Sequence, residues 1–288
     1  MKDIRNLKTM CEKIKFEEIK EAVKRNYIEA CLKLPGEILK RFKEAFEVEK
    51  NPLSKKAFKI FLENAKLAES EKIPLCQDTG IPVVIVKFSS EIDLSGVEKA
   101  INEGIAEAVE EGYLRKSVAH PLTRKNTGTN TPAIIHYEYS QEKTFEIWLM
   151  PKGCGSENMS KLAMLPPAKG IEGVKEFVIN TVKEAGPNPC PPLLVGVGIG
   201  GNFERAAYLA KRALFRDPGM PHEDPDVAKL ERELLREINT LGIGPLGFGG
   251  ETTALFVHLE VEPCHIASLP VAVNLQCHSA RVKKIKFL

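Results

Sequence analysis

The sequence predicts an α/β (α+β) protein, in which a helical N-terminal part is followed by a mixed-sheet body with flanking helices. Apolar residues recur at helical spacing through the N-terminal part, short β-branched runs begin after Pro74, and glycines mark the ends of later elements. A chain of 288 residues has room for about two compact units. We therefore expect a helical part over 1–72 and a mixed α/β body over 73–288 that forms one continuous domain.

The first half begins with helices and changes to strands. Phe16, Ile19 and Val23 lie on one face of a predicted helix, with charged residues between them. The polar residues 140–143 would join two strands as a hairpin, although they lack the best turn chemistry. The elements expected here are helices over 38–46, from Asn51 onwards and over 95–113, and strands over 82–87, 132–139 and 144–150.

In the second half, glycine-rich loops alternate with regular elements. The segment His222-Glu-Asp-Pro225 is expected to start a charged amphipathic helix. A short basic tail is expected from Arg281. The predicted helices are 170–185, 203–215 and 223–240, and the predicted strands are 191–199, 252–261 and 268–276.

Composition excludes several classes of function. The charge balance of 41 basic and 39 acidic residues gives a net charge of +2, which argues against a strongly basic nucleic-acid binder but leaves a local basic patch open. The longest apolar runs are far shorter than the ~18 residues that a membrane span needs. The first fifteen residues are charged and lack an apolar signal core, so we expect a cytoplasmic protein that contacts neither nucleic acid nor membrane.

The cysteines are the most informative residues of the composition. Their number is odd and the chain is long, which argues against a disulfide framework. No two are spaced C-x-x-C, so zinc ribbons and thioredoxin-like sites are excluded as simple readings. Any metal site must therefore gather its cysteines from distant parts of the chain. The seven are Cys11, Cys31, Cys76, Cys154, Cys190, Cys264 and Cys277.

Three segments combine groups that could carry chemistry. Residues 76–80 (CQDTG) place a thiol, an amide, a carboxylate and a hydroxyl just before a strand, although an ordinary polar turn explains them too. Residues 152–158 (KGCGSEN) place two glycines around a cysteine, which suits either an anion or a capped helix entry. Cys264-His265 and Cys277-His278 pair a thiol with an imidazole at either end of one predicted strand, as metal ligands or as core residues.

A fourth segment offers a rival function. Gly196, Gly198 and Gly201 match G-x-G-x-x-G between a predicted strand and helix, and Asp217 follows at roughly the distance of a ribose-binding acid. However, Asp217 falls at the end of a helix rather than of a second strand. We therefore favour a tight turn without any phosphate over a nucleotide site.

Taken together, these segments resemble the α subunit of the class I, iron–sulfur-dependent fumarate hydratase and L-tartrate dehydratase family. The resemblance extends from about residue 10 to the C-terminus. It is carried by CQDTG at 76–80, KNTGTN at 125–130, KGCGSEN at 152–158, GIGG at 198–201, GPLGFGGETT at 244–253 and CHIASLPVA at 264–272, which occur in this order.

The resemblance implies a cofactor and a site. The family holds a 4Fe–4S cluster through three cysteines and leaves one iron without a protein ligand, and here those cysteines fall on Cys76, Cys190 and Cys277. The resemblance further implies that the site residues are Asp78 and His265 as catalytic groups and Gln77, Arg115 and Gly155 as substrate-binding groups. Many relatives have glycine where this chain has Cys154.

The implied activity is reversible hydration of fumarate to L-malate, by an enzyme that needs a separate β subunit and forms a hetero-oligomer with it. The open iron would act as a Lewis acid on the dicarboxylate. The alternatives are the α subunit of an L-tartrate dehydratase or of another 2-hydroxydicarboxylate dehydratase, a nucleotide-binding oxidoreductase built on Gly196–Gly201, and a non-catalytic cluster or zinc scaffold.

Overall fold

The computed structural model describes residues 14–288, so Cys11 lies outside the described residues. The chain divides into two compact units, and both are discontinuous in sequence. The first unit comprises the described part of Met1–Lys33 with Glu71–Lys152 and Arg281–Leu288, and the second comprises Leu34–Ser70 and Gly153–Ala280. The chain changes unit beside residue 72, but the expected division into domains at that residue stays a prediction.

The predicted fold class is confirmed, because the chain forms helices and two mixed sheets. The helices are α1 (Phe16–Leu32), α2 (Gly36–Val48), α3 (Pro52–Glu71), α4 (Val97–Glu111), α5 (Cys154–Glu157), α6 (Gly170–Ala185), α7 (Phe203–Ala213) and α8 (Pro225–Thr240). The strands are β1 (Ile81–Phe88), β2 (Ile134–Tyr139), β3 (Phe145–Lys152), β4 (Lys161–Leu165), β5 (Leu193–Gly201), β6 (Ala254–Cys264), β7 (Leu269–Gln276) and β8 (Lys283–Lys286). No helix of residues 14–288 is long and apolar enough to cross a membrane.

The sheet of the first unit has the strand order β2-β1-β3-β8. The expected hairpin of β2 and β3 is wrong, because β1 lies between them, parallel to β2 and antiparallel to β3. The crossover through α4 returns the chain in the direction of β1, as a parallel pair requires. The core is formed by α1 and α4 against this sheet, with Val23, Ile105 and Phe145 fully buried.

The expected basic tail is also wrong, since it forms strand β8 at the edge of this sheet. Ile285 of β8 pairs with Ile147 of β3 and contributes to the core. Arg281, where the tail was expected to begin, is 1% exposed. Burial of a guanidinium requires hydrogen-bond partners. One partner of Arg281 is the carbonyl oxygen of Asp78.

The sheet of the second unit has the order β4-β7-β5-β6, in which β5 is parallel to β6 and antiparallel to β7. Helices α6 and α8 cover one face through Val178, Val182 and Leu234, which are fully buried. Strand β4 was not anticipated, because its five residues show no apolar alternation that marks a strand. The expected start of α8 is confirmed, since Asp224 caps the helix by accepting hydrogen bonds from the N–H groups of residues 226 and 227.

The glycines of the G-x-G-x-x-G segment serve helix packing. Gly196 and Gly198 lie inside β5, and not in a loop after it. A Cβ atom at Gly198 would lie 2.1 Å from the carbonyl oxygen of Ala206 in α7, and one at Gly196 would lie 2.2 Å from that of Ala210. The expectation of a tight turn is therefore wrong at these two positions, where glycine permits close contact between helix and strand.

We expect Gly198→Ala to lower the free energy of unfolding by about 2 to 3 kcal/mol, because α7 must move away from the sheet to admit the methyl group. Gly36→Ala is the matched control, since a Cβ atom there meets nothing within 4 Å. Urea unfolding of both variants measures the difference. Equal stability of the two variants would contradict the packing role of Gly198.

Candidate functional site

The end of α1 supports the loop at residues 76–80. The N–H of Leu75 donates to the carbonyl oxygen of Cys31 at 2.9 Å, and the Cys31 thiol lies 4.0 Å from the carbonyl oxygen of Thr79. Burial raises the pKa of the Cys31 thiol to about 11, although the nearby Arg281 guanidinium opposes the shift. Cys31 is thus a neutral core residue, whereas Cys76 in the loop is only half-buried.

The loop turns sharply at Gly80. This residue has a φ of +82°, and a Cβ atom on it would lie 2.6 Å from the backbone of Lys152. The Asp78 carboxylate accepts the Gly80 N–H at 3.0 Å, and Arg281 donates from Nη1 to the Asp78 carbonyl oxygen at 2.5 Å. These bonds fix the backbone that directly follows the Asp78 side chain.

Thr79 connects this loop to Arg115. Its hydroxyl accepts the Arg115 N–H at 2.9 Å and donates to the Arg115 carbonyl oxygen at 3.4 Å. The side chains of Arg115 and Gln77 are exposed, and within residues 14–288 neither has a hydrogen-bond or ion-pair partner. An exposed guanidinium on a fixed backbone is suited to bind a carboxylate with two parallel hydrogen bonds.

Asn130 connects the segment at 117–118 to the loop at 76–80, although the sequence did not single it out as a site residue. Its side chain is fully buried and accepts the N–H groups of Ser117 at 2.7 Å and Val118 at 3.1 Å. It donates to the Gly80 carbonyl oxygen at 3.1 Å and to the Tyr27 hydroxyl at 3.4 Å. The KNTGTN motif at 125–130 ends at Asn130, so this motif was the sequence signal that could have identified the residue.

In the second unit, Cys190 lies on a loop just before β5. Its backbone has a φ of +55°, which non-glycine residues rarely adopt, and its N–H donates to the Pro187 carbonyl oxygen at 3.0 Å. The glycine-rich loop at 244–250 supports it, because the N–H of Leu246 donates to the Pro191 carbonyl oxygen at 2.9 Å. Gly247 of that loop approaches Pro187 so closely that a Cβ atom would lie 2.5 Å from it.

Cys277 follows β7 and lies on a loop beside the Cys190 loop. The N–H of His278 donates to the Cys190 carbonyl oxygen at 3.2 Å, and its ring Nδ1 lies 3.0 Å from the same oxygen. The Cys277 sulfur is 3.1 Å from the Ser279 hydroxyl. Two of the three expected ligands are therefore brought to one end of the sheet of the second unit.

Gly155 lies on the short helix α5, which is anchored to the same sheet. Glu157 of α5 accepts hydrogen bonds from Lys211 of α7 at 2.5 Å and from Asn274 of β7 at 3.0 Å. A Cβ atom at Gly155 would meet only the Asn188 carbonyl oxygen, at an ordinary 3.6 Å, and its φ is not positive. Neither packing nor backbone conformation therefore requires glycine at position 155. A remaining reason for glycine there is that a ligand can approach the backbone closely.

His265 lies far from both cysteine loops of its own unit. It follows β6 in the turn before β7, whereas Cys277 follows the last residue of β7. Eight strand residues separate the two ends, which corresponds to about 27 Å. The exposed imidazole accepts the Ala267 N–H at Nδ1, at 3.1 Å, so the neutral ring carries its proton on Nε2.

The thiols suit an iron–sulfur cluster in chemistry and access. No disulfide links the cysteines of residues 14–288, Cys190 is exposed, and Cys76 and Cys277 are half-buried. Thiolates are the usual ligands of such clusters. No three His, Cys, Asp or Glu side chains of residues 14–288 are gathered into a group that could hold a metal ion. Of the expected ligands, Cys76 belongs to the first unit, and Cys190 and Cys277 belong to the second.

Comparison with known proteins gives consistent matches along the chain. A family model described as "Fumarate hydratase (Fumerase)" matches residues 20–286. A Methanocaldococcus jannaschii protein, provisionally named L(+)-tartrate dehydratase subunit alpha, is 46% identical over 279 residues, which cover 93% of this chain and 98% of that protein. The L(+)-tartrate dehydratase subunit alpha of Escherichia coli strain K12 is 31% identical over 256 residues, which cover 86% of this chain and 84% of that protein.

We expect Asn130→Ala to lower the free energy of unfolding by about 2 to 4 kcal/mol, because it removes both acceptor bonds to the backbone and leaves buried groups unsatisfied. Asn126→Ala is the matched control. Asn126 also bonds the backbone, accepting from the Gly128 N–H at 2.7 Å, but it is exposed, so that water replaces the lost bonds. Urea unfolding of the two variants tests this, and a similar loss in both would contradict the central role of Asn130.

Proposed function

Because the chain belongs to the fumarate hydratase (Fumerase) family, we propose that it is the α subunit of a hydro-lyase that dehydrates L(+)-tartrate or a related 2-hydroxydicarboxylate. The sequence alone favoured fumarate as the substrate. The relatives at 46% and 31% identity are both named for L(+)-tartrate dehydratase, which supports the alternative better. The proposal rests mainly on the similarity to the Methanocaldococcus jannaschii protein, because the alignment covers 98% of that protein's length.

The reaction defines what the protein must supply. Loss of water from tartrate breaks a C–H bond on one carbon and the C–O bond on the next, and it gives an enol that tautomerises to a 2-keto dicarboxylate. The C–H proton is weakly acidic and hydroxide is a poor leaving group. Catalysis therefore requires a base, stabilisation of the leaving hydroxide, and donors that hold both carboxylates.

We propose Cys76, Cys190 and Cys277 as the ligands of a 4Fe–4S cluster. Their accessible sulfur atoms and the absence of disulfides among residues 14–288 support this assignment. When bound, a cluster with one iron free of protein ligands supplies Lewis-acid chemistry for a hydroxyl and a carboxylate. Cys264 is the last residue of β6, next to His265 and at the other end of β7 from Cys277, and is not assigned as a ligand.

The polar residues of the first unit are assigned to substrate binding. The guanidinium of Arg115 binds one carboxylate, and the amide of Gln77 positions the substrate as donor or acceptor. Asp78 accepts the Gly80 N–H, which holds its carboxylate in place, and we assign this carboxylate to receive a proton or to orient a group that does. In the second unit, the backbone N–H at Gly155 adds a donor.

Two further contributions come from outside a single α chain. Subunit alpha in the names of the relatives indicates a second type of subunit, and we assign the remaining site groups, including a proton-abstracting base, to a β subunit. His265 cannot contact the Cys190 and Cys277 loops of its own chain. We therefore assign it to the site of a second α chain, in an assembly that contains at least two copies of each subunit.

The activity is tested with α and β subunits purified together without oxygen. We expect about four iron and four sulfide per α chain, and dehydration of L(+)-tartrate followed by the formation of a keto acid. The matched assay with L-malate and fumarate decides between the substrates. Turnover of L-malate with none of tartrate would overturn the tartrate assignment, and a complex that cannot be loaded with iron would overturn the hydro-lyase mechanism.

The ligand assignment is tested by Cys190→Ser, which we expect to lose most of its iron and its dehydratase activity, because serine is a poor cluster ligand. Cys264→Ser is the control, since it alters another exposed thiol of the same unit. We expect this variant to keep iron and sulfide at the wild-type level. Iron loss in both variants, or in neither, would contradict the assignment.

The role of His265 is tested by complementation. We expect His265→Asn to retain iron and lose turnover. Co-expression with the iron-deficient Cys190→Ser variant should restore about a quarter of the wild-type activity, because half of randomly paired dimers are mixed and each mixed dimer has one complete site. Activity no greater than the sum of the two variants would show that His265 does not act across chains.

A further inference from the structure

We propose that His278 is a positioning residue that holds the Cys190 loop against the Cys277 loop, so that the two thiols keep a fixed spacing. The proposal rests on the cluster assignment above. It goes beyond that assignment because it names a residue that holds the ligands in place without itself being one.

The main argument is the double hydrogen bond to one carbonyl group. The backbone N–H of His278 donates to the Cys190 carbonyl oxygen at 3.2 Å, and ring Nδ1 lies 3.0 Å from the same oxygen. A carbonyl oxygen only accepts, so Nδ1 must carry a proton and donate it. Because His278 directly follows Cys277, both bonds connect the two cysteine loops within the second unit.

The imidazole is also stacked against an aromatic ring. Its centroid lies 4.2 Å from that of Phe61 in α3, with only 23° between the ring planes. Phe61 is 6% exposed and also packs against Phe42 and Phe58. A ring held by this cluster loses little further conformational freedom when Nδ1 donates, so the hydrogen bond is less costly to form.

The Cys190 backbone explains why such support is needed. A φ of +55° at a residue with a side chain is a strained conformation, which the surrounding contacts must offset. The two bonds from His278 act on the carbonyl group of this very residue. A cluster ligand that is held in place before binding loses less freedom when the metal arrives.

Three variants separate the two contacts. His278→Phe keeps a ring for Phe61 to stack on and removes the Nδ1 donor. His278→Asn places an amide N–H near the position of Nδ1 and removes the ring. Phe61→Leu leaves the histidine in place and removes its stacking partner. His222→Gln is the control, because it removes a half-buried histidine whose ring accepts the Asp224 N–H before α8.

The first measurement is hydrogen exchange, read by mass spectrometry on the protein before cluster loading. In His278→Phe, we expect the amides of Cys190 and Leu246 to exchange about fivefold faster than in wild type, which is the change expected from one hydrogen bond of about 1 kcal/mol. Phe61→Leu should shift them in the same direction, and His278→Asn should restore them to within about twofold. Peptides within β7 should be unchanged in all variants. Unchanged exchange at Cys190 and Leu246 in both His278→Phe and Phe61→Leu would overturn the proposal.

The second measurement is the retention of the cluster. In the loaded α–β complex, the visible absorption of the cluster should decay about fivefold faster under a chelator in His278→Phe, and near the wild-type rate in His278→Asn and His222→Gln. A residue that served only global stability would give no such rescue by asparagine. Faster hydrogen exchange without faster decay of the cluster absorption would show that His278 does not help to retain the cluster. A wild-type complex that takes up no cluster would instead overturn the proposed function, while hydrogen exchange still decides whether His278 links the two loops.

Discussion

The loops that carry the candidate site residues depend on side chains that satisfy their buried backbone groups. These loops form no ladder with a neighbouring strand, so each buried N–H or C=O needs another partner. In the first unit, Asn130 supplies two acceptor and two donor bonds. In the second, Glu49 is 4% exposed and accepts the N–H groups of Lys50, Asn51 and Glu251, which fixes the end of the glycine-rich loop. Replacement of such a residue would leave these backbone groups without partners. The loop would then lose its fixed position, together with every side chain that it carries.

Much of the fold could be predicted, because its helices and buried strands repeat at regular periods. Helix α6 was predicted at its observed bounds, and the segment 222–225 was correctly expected to begin α8. The hairpin of β2 and β3 was wrong, since periodicity identifies a strand but not its neighbour. Short strands such as β8 were missed because four residues form no recognisable period.

The candidate site could be predicted only as far as the motifs extended. The family motifs pointed to Cys76, Cys190 and Cys277, but residues that act through the backbone of others leave no such pattern. Arg281 looked like part of an exposed basic tail, yet it donates to the Asp78 carbonyl oxygen about two hundred positions away. Its burial follows from the strand pairing of β8, a long-range contact that local sequence does not encode.

Selectivity between tartrate and malate depends on one hydroxyl group. A hydrogen bond to a substrate hydroxyl discriminates strongly against an analogue without it, since a site group is then left unsatisfied. Such discrimination needs a polar group that the protein has not already used. Gln77 meets this condition, because its exposed amide has no partner within residues 14–288 and can both donate and accept. Arg115 can only donate, so it suits a carboxylate. If the proposed dehydration of tartrate is correct, Gln77 is therefore the residue that we propose to recognise the second hydroxyl.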